Sequence, residues 1–212
     1  NSQEKTQKAI NEDKFKNELI KLKIDTEGKN FIFEKDEHPR NNLNLEDLKK
    51  LKTVFKENGT VTAGNSSGIN DGAAATILMS REEAELRGIE PLAKVVSWAT
   101  CGVEPSLMGL GPIPAVNMAL KKARWNIEDV DLFEINEAFA AQSIAVIRDL
   151  KIPKEIINVN GGAIALGHPI GASGTRILVT LIHEMVRQGK SKGCATLCIG
   201  GGMGIAMCIE RN

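Results

Sequence analysis

Beyond residue 60 the chain alternates between strand-like and helix-like segments, and this alternation restricts its fold more than any other feature. Strands are predicted at 92–100, 130–135 and 156–160, and helices at about 112–124, 138–150 and 172–188. Two last strands, 195–199 and 205–209, flank a glycine turn and should run antiparallel. We therefore expect an α/β fold with a mixed sheet and helices on its faces.

The first part of the chain, up to about residue 60, is lysine-rich and only weakly patterned. It predicts an amphipathic helix over residues 4–20 and two paired strands, Ile20–Ile24 and Asn30–Phe33. Asn44 is expected to cap a helix over about residues 45–56. The polar start has no initiator Met and resembles neither a signal nor a transit peptide, so it reads as an interior point of a longer chain.

Composition excludes some functional classes. The 27 lysines and arginines equal the 27 aspartates and glutamates, which disfavours a globally basic nucleic-acid binder. No apolar run approaches the roughly 20 residues that span a bilayer, so no membrane partner is expected. Of the four cysteines, Cys194 and Cys198 lack a second Cys or His pair to complete a zinc site. We expect a cytoplasmic protein with reduced thiols and no metal.

Asn136 is the first of three candidates for chemistry, and it follows the strand predicted to end at Ile135. Sites in α/β proteins form just beyond the carboxyl ends of strands, where a side-chain amide can hold a water or a carbonyl oxygen. Asparagine also favours the N-cap of a helix. Both interpretations stay open for this segment alone.

His168 lies in the second candidate segment, Asn160–Gly174, which places five glycines and a proline between a strand and a helix. Such backbone freedom allows the main chain to approach a ligand closely. The segment contains neither a P-loop lysine nor a GxGxxG pattern. Before Pro169 and near a helix start, the histidine can serve as a neutral donor or base, or can be structural.

Cys198 ends a strand in the third candidate segment and precedes the glycines at 200–202. Unobstructed glycine amides can form an oxyanion hole, and a thiol beside them can exchange protons. The alternative is a tight hairpin in which the cysteine fills space.

Taken together, the three segments resemble the signature of the thiolase family. NEAFA (136–140), GGAIALGHPIGASG (161–174) and CIGGGMG (198–204) occur in the family's order, and the likeness continues through TVTAGNSSGINDGA (60–73). The chain looks most like the acetyl-CoA acetyltransferase (acetoacetyl-CoA thiolase) branch. The resemblance implies a thiolase-like α/β fold, with residues 1–68 in the loop domain that covers CoA and residues 69–212 in the C-terminal domain.

The resemblance also implies roles for the catalytic candidates. His168 would activate the nucleophilic cysteine and support an oxyanion hole, and Asn136 would hold the water that completes this hole. Cys198 would remove a proton from the α-carbon of the incoming acetyl-CoA. The backbone N–H of Gly200 would contribute to a second oxyanion hole.

Four further positions match residues that bind the substrate in the family. Arg40 would lie near the nucleotide of CoA, Ser67 near the pantetheine, Met108 in the same tunnel, and Phe139 in the wall of the acyl pocket. Coenzyme A would be substrate and product, so no resident cofactor is implied.

The family's nucleophilic cysteine stands in a Cys-x-Ser-Gly-like setting, which follows none of the four cysteines here. We therefore expect this chain to be the C-terminal half, either a fragment of a longer chain or one half whose partner is a separate N-terminal thiolase half. The complete enzyme is expected to be a dimer or tetramer. Because an upstream leader would then be lost, a mitochondrial location stays compatible.

The implied reaction is the reversible condensation of two acetyl-CoA molecules into acetoacetyl-CoA and CoA. Two alternatives stay open: a thiolase for longer 3-ketoacyl-CoAs, which shares the catalytic segments, and a non-catalytic thiolase-fold module that binds acyl-CoA or lipid. The presence of His168, Asn136 and Cys198 together disfavours the module.

Overall fold

A four-stranded mixed sheet and a separate two-stranded hairpin organise the fold. The computed structural model describes residues 1–26 and 28–211. In chain order the strands are β1 (Leu22–Thr26), β2 (Lys29–Phe33), β3 (Lys94–Gly102), β4 (Leu132–Ile135), β5 (Lys192–Ile199) and β6 (Met203–Glu210). The large sheet has the order β3-β6-β5-β4, in which only β5 and β4 run parallel. The expected mixed sheet and its closing antiparallel pair are confirmed.

The helices of the chain are α1 (Ser2–Asn11), α2 (Leu45–Lys49), α3 (Arg81–Leu86), α4 (Pro112–Ala123), α5 (Ala140–Leu150), α6 (Ala163–Leu166) and α7 (Ser173–Gln188). Of these, α4, α5 and α7 cover the two faces of the large sheet. On one face, α4 and α5 bury Val116 and Val146 against Phe133 of β4. On the other face, α7 buries Ile177 and Leu181 against Leu132. Each buried side chain of this size stabilises the fold by about 1.5–3 kcal/mol relative to exposure.

The amino-terminal part is less regular than predicted. The helix expected over residues 4–20 ends at Asn11, because Asp13 adopts a left-handed φ of 52° that a helix cannot continue through. Asn44 caps α2 as expected, its side chain accepting the Asp47 N–H at 2.9 Å, but the helix stops at Lys49. Leu45 and Leu51 remain exposed, so little burial supports a longer helix.

The strand predicted over residues 156–160 does not form. Ile157 makes one isolated parallel bridge with Phe133, and the chain then turns away. Asn158 has a left-handed φ of 44°, which is incompatible with continuing a strand. The glycine segment that follows contains the short helix α6, which the sequence pattern did not indicate.

Within the described residues, no helix has the length and apolar character that crossing a bilayer requires. The cytoplasmic location and the domain division after residue 68 stay predictions. The last residue of the second predicted domain, Asn212, lies outside the described residues.

Candidate active site

The carboxyl ends of the parallel strands β4 and β5 form the floor of the candidate site. Asn136 follows the last residue of β4, and its backbone N–H donates to the Thr196 carbonyl of β5 at 3.0 Å. Cys198 lies two residues further along β5. Two of the three catalytic candidates therefore lie on neighbouring strands at the same edge of the sheet, where α/β folds place their sites.

A line of hydrogen-bonding side chains joins Asn136 to the start of α7. The Asn136 Nδ2 atom lies 3.3 Å from His168 Nε2, and His168 Nδ1 lies 2.5 Å from Ser173 Oγ. Ser173 in turn donates to the Pro169 carbonyl at 3.0 Å. We refer to Asn136, His168 and Ser173 as the imidazole relay.

The relay is consistent with one neutral tautomer of His168. Because the Ser173 hydroxyl donates to Pro169, its oxygen is free to accept the Nδ1–H of the imidazole. Nε2 then presents a lone pair that accepts from the Asn136 amide. Burial, assisted by the positive charge of Arg176, lowers the pKa of His168. The ring is thus held neutral with a basic nitrogen at the site.

The backbone of His168 is held by a segment from the first part of the chain. Its N–H points to the Gly68 carbonyl at 3.1 Å and to Asn70 Oδ1 at 2.8 Å. Gly167 has a φ of +93°, and a Cβ at this position would lie only 2.2 Å from Asn70 Oδ1. Glycine is therefore needed for the close approach that fixes the histidine.

Helix α1 supports the same glycine segment from behind. Ser2 donates to Glu137 Oε2 at 2.6 Å and accepts the Gly162 N–H at 3.1 Å. Glu137 also accepts the Ile164 N–H at 3.2 Å. The Asn136–Glu137 turn and the His168 segment are consequently tied together through α1.

Cys198 is 7% exposed at the end of β5, and burial raises the pKa of its thiol. It is therefore a thiol at neutral pH that becomes a strong base when ionised. Gly200, in the turn that follows, is exposed, and a Cβ built on it would meet no atom within 4 Å. Its backbone is open to a ligand.

Ser67 and Phe139, two of the four predicted CoA positions, lie directly beside the imidazole relay. The Ser67 N–H donates to the Ala138 carbonyl at 3.0 Å, which places Ser67 beside the Asn136 turn. Phe139 is half-buried and packs edge-on against Phe55, with ring centroids 5.8 Å apart.

The other two predicted positions lie elsewhere on the chain. Met108 is half-buried in the turn before α4. The backbone N–H of Arg40 donates to Gln3 Oε1 of α1 at 2.9 Å, and Arg40 lines an open surface groove beside this helix. No contact joins Arg40 to the imidazole relay, and the binding roles of all four positions stay predictions.

Ser173 and Asn70 are functional candidates that sequence reasoning did not select. Both lie inside the motifs that carry the family resemblance, but neither differs from an ordinary helix-start serine or loop asparagine. The short separation of His168 and Ser173 is a signal for Ser173 alone, whereas Asn70 lies 98 positions from His168 and has no such signal.

Comparison with known proteins agrees with this geometry. Residues 1–82 match the family model for the N-terminal domain of thiolase, and residues 89–211 match the model for its C-terminal domain. Acetyl-CoA acetyltransferase of Rhizobium meliloti (strain 1021) is 55% identical over 210 residues, which are 99% of this chain and 53% of that protein.

Two solved structures superimpose closely. Bacillus anthracis acetyl-CoA acetyltransferase has a TM-score of 0.97 at 49% identity, over 99% of this chain and 53% of that one. Human mitochondrial 3-ketoacyl-CoA thiolase in complex with CoA has a TM-score of 0.92 at 43% identity, over 100% of this chain and 52% of that one.

This chain spans about half the length of the curated relatives it matches. Residues 1–82 nevertheless match the N-terminal domain model. The expectation that the chain is a C-terminal half is therefore not confirmed, and the expectation of a separate N-terminal half as its partner conflicts with this match.

Proposed function

The chain belongs to the thiolase family, and from this premise we propose that it acts in an acetyl-CoA C-acetyltransferase. Its residues would supply the base and the donors that form the enolate, whereas none of its four cysteines stands in the setting of the family's nucleophilic cysteine. The reaction would be the reversible Claisen condensation of two acetyl-CoA molecules into acetoacetyl-CoA and CoA. Coenzyme A would be substrate and product rather than a resident cofactor. A cytoplasmic dimer or tetramer is proposed from the family resemblance alone.

The observation that carries the proposal is the imidazole relay, at the sheet edge where Cys198 is the second-last residue of β5. Carbon–carbon bond formation between thioesters requires a base aimed at the α-carbon and fixed donors for the enolate oxygen. Cys198 is the proposed base. Asn136, His168 and the Gly200 amide are the proposed donors or holders of a donor water.

The proton-removal step is chemically balanced with these groups. The ionised Cys198 sulfur takes a proton from the methyl group of acetyl-CoA, and the electron pair of the broken C–H bond moves onto the thioester oxygen as an enolate. The donors stabilise this negative charge. In the absence of an acyl donor for it to attack, the enolate takes back a proton from Cys198.

This partial reaction gives a direct test. Acetyl-CoA carrying a deuterated methyl group is incubated with the protein in ordinary water, and loss of deuterium is followed by mass spectrometry. Exchange should be lowered by about 10²–10⁴ in Cys198→Ala, the usual contribution of a general base. Because burial raises the pKa of Cys198, the rate should increase with pH through the alkaline range as the thiolate forms.

Cys101→Ala is the matched control, since Cys101 is half-buried on β3 and has no proposed role. Its exchange rate should equal that of the unmodified protein. Equal rates in Cys198→Ala and the unmodified protein would contradict the assignment of the base. Binding of CoA without any exchange would instead favour the non-catalytic module.

A thiolase for longer chains is the second candidate, favoured by the similarity to the human 3-ketoacyl-CoA thiolase. The enolate forms on acetyl-CoA in both reactions, so the two are separated by the chain-length kinetics of cleavage by CoA, with acetoacetyl-CoA and 3-ketooctanoyl-CoA as substrates. Faster cleavage of 3-ketooctanoyl-CoA would overturn the acetoacetyl-CoA assignment while keeping the role of Cys198.

A further inference from the structure

Asn158 makes an unusual pair of contacts beneath the site. Its side chain is 4% exposed and lies against the last residue of β4. The Oδ1 atom accepts the Ile135 N–H at 2.8 Å, and the Nδ2 atom donates to the Ile135 carbonyl at 2.7 Å. One amide side chain therefore satisfies both backbone groups of the residue that precedes Asn136.

These contacts replace a missing part of the sheet. On one side β4 is paired with β5, and the Asn136 N–H continues this pairing to Thr196. On the other side, the described part of the chain provides only the Phe133–Ile157 bridge and a 2.9 Å bond from the Asn158 N–H to the Phe133 carbonyl. The two hydrogen bonds of the Asn158 side chain take the place of the next backbone pair on this side, so the end of β4 is hydrogen-bonded on both sides.

The same residue begins the glycine segment that carries His168. Its φ of 44° is a left-handed conformation that asparagine tolerates better than most residues, and its carbonyl accepts the Gly161 N–H at 2.9 Å. Asn158 thus joins the end of β4 to the start of the loop on which the imidazole lies.

We propose that Asn158 is a positioning residue that holds the Asn136 amide against His168 Nε2. The Asn136–His168 distance of 3.3 Å is already at the long end of a hydrogen bond, so a small shift of the β4 end breaks it. Only the catalytic consequence of the Asn136–His168 contact rests on the proposed function. The contact itself can be measured without turnover.

The test is the titration of the His168 Cε1–H signal by NMR in the whole protein. The chain has only three histidines, so a His168→Gln variant assigns the signal. Donation from Asn136 to the Nε2 lone pair favours the neutral ring and lowers its pKa; losing the donor raises it. A bond of ordinary strength corresponds to a rise of roughly 0.4–1.1 in the His168 pKa.

Asn158→Gly removes the side chain while keeping the left-handed backbone available. We expect it to raise the His168 pKa as much as Asn136→Ala does, and the double variant to raise it no further. Asn58→Gly is the matched control, since Asn58 is an exposed asparagine with a φ of 56°. It should leave the titration unchanged. Arg176, the charged group that acts on His168, is intact in every variant.

Asn158→Ser is a second, uncharged variant in case Asn158→Gly does not fold. Its single hydroxyl oxygen cannot replace the two amide atoms that contact both backbone groups of Ile135, so the His168 pKa should rise here too. The proposal is overturned if Asn158→Gly or Asn158→Ser titrates like the unmodified protein while Asn136→Ala does not. It is also overturned if Asn136→Ala causes no rise, or if the double variant adds a second full rise. If acetyl-CoA exchange is absent, the proposed function fails, whereas the titration still decides the role of Asn158.

Discussion

Glu134 is a buried carboxyl group two residues before Asn136, and its burial predicts how the free energy of unfolding depends on pH. Its side chain is 3% exposed, and its nearest opposite charge is the Arg176 guanidinium, 3.5 Å away. Burial outweighs this attraction, and Glu18, Glu137 and Glu184 add negative charge nearby. Together they raise the pKa of Glu134 to about 8.

The raised pKa predicts the direction and size of a pH effect on stability. Between the ordinary pKa of 4.5 and about 8 the folded protein holds a proton that the unfolded chain has lost. Stability is therefore highest below pH 4.5 with respect to this group and falls as pH rises to 8. At 1.36 kcal/mol per pH unit, the loss is at most about 5 kcal/mol.

Glu134→Gln removes the ionisation but keeps the size and polarity of the neutral acid. The free energy of unfolding, measured with urea at pH 5 and pH 9 by tryptophan fluorescence, should be nearly unchanged at pH 5. At pH 9 the variant should be more stable than the unmodified protein by up to about 5 kcal/mol.

Glu128→Gln, at an exposed position in the turn before β4, is the matched control and should show no such difference. An equal effect of Glu134→Gln at both pH values would refute the reasoning. It would mean that Glu134 is ionised in the folded protein and that its attraction to Arg176 exceeds the cost of burial.

Two further predictions concern the segment around His168. Gly161→Ala should lower the free energy of unfolding in urea by about 2–5 kcal/mol, because the φ of Gly161 is +89° and an added Cβ would lie 1.9 Å from Thr6 Oγ1. Gly189→Ala is the control: Gly189 is also left-handed but has open space around it, so the substitution should lower the free energy of unfolding by only about 1 kcal/mol. Equal losses in the two variants would show that the collision with Thr6 does not contribute. Ser173→Ala should change the tautomer equilibrium of His168 by roughly 2–13-fold away from the Nδ1–H form, which is the effect of one lost hydrogen bond. The equilibrium is measured from the ¹⁵N chemical shifts of the imidazole. An unchanged equilibrium in Ser173→Ala, or an equal change in Ser173→Thr, would contradict the role of the hydroxyl.

The sequence by itself determined the α/β class, the mixed sheet and the family. After residue 60 the spacing of apolar residues alternates between the period of a strand and that of a helix. This spacing predicts the type of buried elements such as β5 and α7. His168 and Cys198 were identifiable because they stand in motifs with many glycines, and Asn136 because it follows a predicted strand. Gly167, for example, has a φ of +93° directly before His168, a conformation that favours glycine.

Only the tertiary structure decided which side chains hold these residues in place. Ser173, Asn158 and Asn70 contact groups that are 5, 23 and 98 positions away along the chain. The last two separations have no local pattern to reveal them. The predicted strand at 156–160 failed for the same reason: local apolar residues favour a strand, whereas the fold uses Asn158 to close the end of β4. Hydrogen bonds between distant segments depend on the relative positions of the sheet and the loops in the folded chain, and local sequence patterns do not specify those positions.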